Sequence, residues 1–422
     1  MISVGSTTNP KSGKMANSWI ARLAVLAGLT ASLVSAAPVY PEEGAVYHWP
    51  LQWTPLGFVG NHTTGTPPQE ITAFVDITWI GNYYVTTRCL GKDDNIEQCF
   101  PGTGQAYFNQ SESATFEYLP EYPGLNWNPN HFFFDQDMTI DIAQEVVNVG
   151  GVDTETVIQA ADFAFVETSA FPFQAVYGLS PVFPGDNITI TSPFYQGWQQ
   201  SHWRAPISAF HYCYPGTSKD TCQGYDAVQT LGGIEWERVQ GKIHWYDSII
   251  PIEVNEIDFV YKPPVFNYWA LNLTAFAIGD EMQAIDQTYE GTAVFDHASY
   301  GRGAPLSVNA YINLITWTQA TPVILADAWG VNNGNQTLFE IPCTTDLTTL
   351  PDLKYWFQDD PKPWIITPSN YVSQAEDRCV LNIRTLGYGD MIIGNFGETF
   401  LRDKYFIMDF GNLRVGLSDL AW

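Results

Sequence analysis

The sequence predicts a mostly β protein, on three observations. Helical periodicity is scarce across its 422 residues. Short β-branched and aromatic runs bounded by Gly, Pro, Asn and Asp recur along its length. Six cysteines follow an apolar leader, the setting in which disulfides form.

The leader comes first. After Lys11, Lys14 and Arg22 the run LAVLAGLTASLVSA (23–36) ends in the small residues Val34-Ser35-Ala36, which is the pattern of a signal peptide spanning 1–36. Met15 opens a shorter stretch, MANSWIARL, of the same form. The run is too short to span a bilayer, so the expected location is extracellular. Beyond it, strands are expected at ITAFVDITWI, NYYVTT, DNITITS, KIHWYDSIIPIE, FVYKP, YWALNLTAFAI, TPVILADAW, YFIMDF and LRVGL. One helix is expected at APLSVNAYINLITW (304–317), where a proline near the start precedes spaced apolar residues. No Gly/Ser linker or charge block divides the chain, so two lobes, if present, must be tightly joined.

Lys and Arg number 18 against 45 Asp and Glu, a formal net charge of −27. That field repels phosphate backbones and anionic lipid, so neither nucleic acid nor a membrane is an expected partner. The cysteines suggest the pairs Cys89 with Cys99, Cys213 with Cys222 and Cys343 with Cys379, although sequence alone leaves the connectivity open. Sequons at Asn61, Asn109, Asn187, Asn272 and Asn335 point to a glycoprotein.

A weak internal repeat organises the chain. FVDITW, carrying Asp76, is followed about a hundred residues later by AVYGLSP (175–181); VFDHAS, carrying Asp296, is followed at similar spacing by MIIGNFG (391–397). Two lobes of one design, each giving an aspartate to a shared cleft, would produce this order.

With GTPPQ before FVDITW, SESATFEYL and EVVNVGGV after it, then FPFQAVYGLSP, LGGIEWERVQGKIHWYDSI, AVFDHASYGRGAPLSVNAYINLI and IIGNFGETFLRDKYFIMDFGNLRVGLS, the chain resembles the pepsin-like aspartic peptidases from about Phe58 to Leu417. The resemblance implies a bilobal double-barrel fold with an inter-lobe sheet and a central cleft. Residues 37–205 would form the N-terminal lobe and 206–422 the C-terminal lobe. An extended peptide or protein would be the cleft partner of a monomer that needs no cofactor or metal. Cys89 with Cys99 and Cys343 with Cys379 sit where the family places disulfides.

In that family two carboxylates share one proton around a bound water, one acting as base while the other donates to the substrate carbonyl. Asp76 and Asp296 would be this pair. Their supports depart from the family's pattern of Asp, then Thr or Ser, then Gly. The hydroxyl that bonds across the lobes is replaced by Ile77 and His297, and the glycines by Thr78 and Ala298. Trp79 replaces a small hydroxyl residue expected to bond the first aspartate, whereas Ser299 keeps that role for the second. Phe133 stands nearest the flap tyrosine, with no hydroxyl and no following glycine hinge. No Lys or Arg lies between Arg22 and Arg88, so a basic prosegment of the family's kind is not expected. The sequence therefore predicts a secreted, degenerate pepsin-like protein, a non-catalytic binder of a peptide or protein, with an active or attenuated acid endopeptidase using Asp76 and Asp296 as the alternative. His297 is expected to fill the gap beside Asp296 and form a His–Asp pair. The seven histidines show no HExxH or similar metal spacing, and no G-x-S-x-G elbow, phosphate loop or dinucleotide fingerprint occurs.

Overall fold

Parallel pairing defines the architecture around both aspartates. The strand Gln69–Asp76 runs parallel to Ala175–Gly178, with Asp76 opposite Gly178. The strand Thr292–Phe295 runs parallel to Ile392–Phe396, with Phe295 opposite Phe396. Each half thus sets one aspartate at the end of a buried strand and lays an apolar-Gly strand beside it, which is the repeat seen in the sequence. The structure is a computed structural model and describes residues 44–54, 57–87, 107–122, 125–127, 138–161, 174–213, 222, 224–247, 268–285, 291–297, 303–326, 335–375, 377–385 and 392–422.

Among these residues the chain is mostly β. One hydrogen-bonded sheet of 14 strands joins the first half to the strands Ile207–Tyr212, Ala227–Leu231, Val239–Tyr246, Lys404–Asp409 and Arg414–Leu420. Sheets of six, four and two strands complete the second half. Tyr47–Thr54, Gly57–Thr64 and Gln69–Asp76 form an antiparallel meander in which Phe58 lies opposite Val75; the first buries alternate residues Trp49 and Leu51, whereas Gly57–Gly60 and Ala73–Asp76 are buried throughout. The long hairpin Met138–Val149 and Val152–Ala161 closes on Gly150 and Gly151, both with positive φ, as a two-residue turn between paired strands requires.

Apolar aromatics fill the second core. Phe295, Tyr355, Phe357, Phe396 and Phe400 are all buried, with ring centroids 4.9–6.1 Å apart, mostly edge to face. Such pairs add about 0.5–1.5 kcal/mol each beyond their burial. The expected helix forms at Val308–Thr318; Ser307 caps it by accepting from the Ala310 amide, and Ala310 and Leu314 give it a buried stripe.

DNITITS does not form the expected strand. Ile188–Ile190 is a single 3₁₀ turn, because the Asn187 side chain accepts from the Thr189 amide and offers the backbone a local partner in place of a neighbouring strand. Two of the suggested disulfides are formed, Cys213–Cys222 and Cys343–Cys379, with Cα atoms 6.0 and 5.1 Å apart. Cys89 and Cys99, the leader, and the FVYKP segment lie outside the described residues. No described helix is long and apolar enough to cross a membrane.

Candidate functional site

Two glycines let the backbone close around Asp76. A Cβ on Gly178 would stand 2.3 Å from the carbonyl oxygens of both Gly81 and Trp79. Only glycine permits this approach, and it allows the Leu179 amide to reach the Asp76 carbonyl at 2.7 Å. Gly81 takes φ 73°, turning the chain back into the strand Asn82–Val85. In the second half a Cβ on Gly394, which lies opposite Ala293, would meet the Pro305 Cβ at 2.8 Å, so glycine there admits the Pro305 ring.

Both carboxylates are buried, Asp76 at 6% exposure and Asp296 at 3%. The Asp76 Oδ1 accepts from the Thr78 amide and from the Thr78 hydroxyl, each at 2.7 Å. Burial raises the Asp76 carboxyl well above the usual range, and the negative charge of Asp296 raises it further; Thr78 and the Trp79 amide pull in the opposite direction. The charge of Asp296 is thus felt at Asp76, in the direction that disfavours ionising both. Asp296 Oδ2 accepts from the Asn395 side-chain amide at 2.8 Å. Asn395 stands in register with Val294, two residues before Asp296, so strand alternation brings both side chains to one face.

The expectation that the first loop lost its hydrogen bonding is corrected here. Thr78, which stands where the resemblance expects a glycine, supplies two donors to Asp76 at once, its amide and its hydroxyl. Its hydroxyl does what Trp79 no longer can, while the Trp79 ring packs edge-on against Tyr83 at 6.0 Å.

Ile77 and His297, the residues after each aspartate, are both fully buried. The expected His–Asp pair does not form: neither imidazole nitrogen of His297 has a hydrogen-bond partner. The ring lies 4.6 Å from Phe210 and 5.6 Å from Phe58, on strands Ile207–Tyr212 and Gly57–Thr64. Phe58 and Phe210 also pack on Tyr212, at 5.4 and 4.9 Å. His297 is thus tied by aromatic contact to Phe58 of the first half and to Phe210 of the strand Ile207–Tyr212. An apolar cage disfavours the charged imidazole, and burial holds His297 down at about 3.

Phe133, Ala298 and Ser299 lie outside the described residues. Of the sequons, Asn61, Asn187 and Asn272 are exposed, and Asn109 caps a 3₁₀ turn; Asn335 opens the strand Asn335–Ile341. The roles of Thr78 and Asn395 escaped the sequence reading. Asn395 had a signal, its place in the second apolar-Gly strand, whereas the hydroxyl of Thr78 is recognisable only once the loop has turned back on Asp76. Among the described residues the one grouping of three metal-ligating side chains is His211, Cys213 and Cys222, away from the aspartates in sequence and with both cysteines in a disulfide.

Comparison with known proteins agrees with this geometry. Residues 57–420 match the family described as eukaryotic aspartyl protease. The chain is 46% identical over 377 residues to the aspartic protease-like protein pynH of Aspergillus niger, covering 87% of this chain and 90% of that one. It is 45% identical over 406 residues to the aspartic protease-like protein pytH of Aspergillus terreus, covering 91% and 95%. It is 39% identical over 412 residues to a probable secreted aspartic protease of Arthroderma benhamiae, covering 94% and 98%. A fold with two aspartate loops, each seated beside an apolar-Gly strand, is that of the pepsin-like proteins. This chain belongs to the pepsin-like aspartic protease family.

Proposed function

We propose that this chain is a secreted pepsin-fold protein whose cleft, between lobes 37–205 and 206–422, binds an extended peptide or protein segment without hydrolysing it. The observation that carries the reading is the pair Ile77 and His297. Both occupy the positions where the family places cross-loop hydroxyls, and both are fully buried without a side-chain hydrogen bond. Apolar packing keeps the loops together, but it does not fix oxygen positions as hydrogen bonds do, and a misplacement of about 1 Å can cost on the order of a hundredfold in rate. Secretion is supported by the leader and by relatives named as secreted aspartic proteases.

A second reading has its own support. Asp76 keeps two donors from Thr78 and feels the charge of Asp296, which is the electrostatic condition for a shared proton. An attenuated acid endopeptidase would need no more than this. The two are separated by incubating the purified protein with a mixed peptide library beside an Asp76→Asn control, and titrating both with a statine-type inhibitor. Inhibitor binding without turnover supports the binder; turnover that disappears in the control supports the enzyme.

A further inference from the structure

The unused imidazole of His211 faces a disulfide. His211 ends the strand Ile207–Tyr212 one residue before its close, and Cys213 follows two positions later, so strand alternation puts both side chains on one face. Cys222 completes the disulfide. A nitrogen of His211 and both sulfurs lie within 4.8 Å of one another, and all three residues are buried. His211 is 1% exposed, yet neither ring nitrogen has a hydrogen-bond partner. Behind it stands a carboxylate in the same condition: Glu235 Oε2 is buried without a hydrogen bond, 3.9 Å from His211 Nδ1, while Glu235 Oε1 is held by Arg238 at 3.1 Å.

Two unsatisfied buried groups in contact range cost free energy unless something occupies them. Glu235 Oε2, shared at 3.6 Å with His48 Nδ1, is too far from His211 for a hydrogen bond as it stands, but a small shift would let it accept from the ring, and a carboxylate so bonded orients a metal-ligating histidine.

We propose that Cys213, Cys222 and His211 form a redox-gated site for a thiophilic d¹⁰ cation, Cu(I) or Zn(II), closed while the disulfide stands and opened when a thiol reduces it. In the opening step two equivalents of a small thiol, RSH, convert the cystine to two cysteine thiols and leave as RSSR. The two electrons and two protons gained by the cystine sulfurs are those the thiol gives up. The cation then displaces one proton from each thiol and takes His211 as its third ligand. Thiolate and imidazole select these cations over Mg(II) or Ca(II). Three buried ligands suit trigonal Cu(I) as they stand; Zn(II) would add a water.

The test uses the full secreted chain, reduced by dithiothreitol without denaturant and followed by near-ultraviolet circular dichroism. Cu(I) is offered in competition with a chromogenic chelator, and Co(II), as a reporter for Zn(II), is followed by its thiolate charge-transfer band. The expected result is one tight equivalent of one of these ions in the reduced protein and none in the oxidised protein. That equivalent should vanish in Cys213→Ser/Cys222→Ser and weaken about ten- to a hundredfold in His211→Leu. Equal binding by His211→Leu and the parent, or by oxidised and reduced protein, overturns the proposal. Loss of the folded signal on reduction that metal does not restore overturns it too.

Discussion

At the scale of single residues, Thr78 and His297 carry opposite lessons. Thr78 gives Asp76 two hydrogen bonds from one side chain and its own amide. Bonds to a charged acceptor are worth about 1.5–3 kcal/mol. Thr78→Val, which keeps shape and amide but removes the hydroxyl, is expected to raise the Asp76 carboxyl by about one further unit. Thr78→Ser should leave it in place. The pH dependence of inhibitor binding reads this directly: the ionisation limb should move to higher pH in the valine variant only. His297 is a polar side chain with nothing polar to hold, so His297→Leu is expected to stabilise the fold by about 1–3 kcal/mol in denaturant titrations. The gain should widen in acid, because the wild-type imidazole resists the proton that the unfolded chain accepts. An unchanged midpoint would show that the ring contributes a bond the structure does not contain. The sequence announced the identities of both residues but not their partners. Nothing in DIT or DHA says that a threonine will turn back on the preceding carboxylate, or that a histidine will be enclosed by Phe58 and Phe210.

At the scale of elements, much was legible. The helix over 308–318 follows from a proline and spaced apolar residues, and the two aspartate and apolar-Gly strands from the internal repeat, whereas the Cys213–Cys222 and Cys343–Cys379 pairs were suggestions that sequence alone left open. DNITITS was misread because its β-favouring composition is overridden by the Asn187 side chain, a short-range hydrogen bond that propensity does not register. The seating of the first loop depends on Gly178. Gly178→Ala drives a methyl into two carbonyl oxygens, and the expected consequence is a loss of several kcal/mol of stability together with inhibitor binding, by displacement of Asp76. A folded, binding-competent alanine variant would mean that the loop is not held by this contact. The Cys343–Cys379 bond joins the loop after the strand Asn335–Ile341 to its partner strand, with Cys379 opposite Ile341. Removing it as a Ser/Ser pair should cost about 2–4 kcal/mol, read as a lower thermal midpoint.

At the scale of the molecule, acid sets a limit. His62, His211 and His297 are all buried, and burial lowers each to about 3 from an ordinary 6.5. A depressed histidine contributes stability that is complete above the unfolded value and is lost as pH falls from about 6.5 toward about 3, because the unfolded chain takes up protons the folded chain refuses. Asp76 acts the other way: its raised carboxyl favours the fold at low pH and costs stability as pH rises through its folded value. Three histidines outweigh one carboxyl, each being worth several kcal/mol when fully protonated. Relief of repulsion among 45 acidic groups offsets part of this, but surface repulsion is screened by salt whereas buried imidazoles are not. Denaturant midpoints should therefore fall steeply below about pH 5; a midpoint that holds or rises there would contradict the assignment of these histidines as neutral.

That limit also fixes the conditions for the most direct test of the central claim, retained binding with lost hydrolysis. It is the turnover of a mixed peptide library, read by mass spectrometry in mild acid where the protein stays folded, by the wild type and by Asp76→Asn in parallel, after both have been shown to be folded and the wild type to bind a statine-type inhibitor. The expected result is an inhibitor-binding wild type whose cleavage does not rise above that of the Asp76→Asn protein. Sequence-specific cleavage by the wild type that Asp76→Asn abolishes would contradict it, and would show that Thr78, Asn395 and an aromatic cage hold two carboxylates level as well as the family's hydroxyls do.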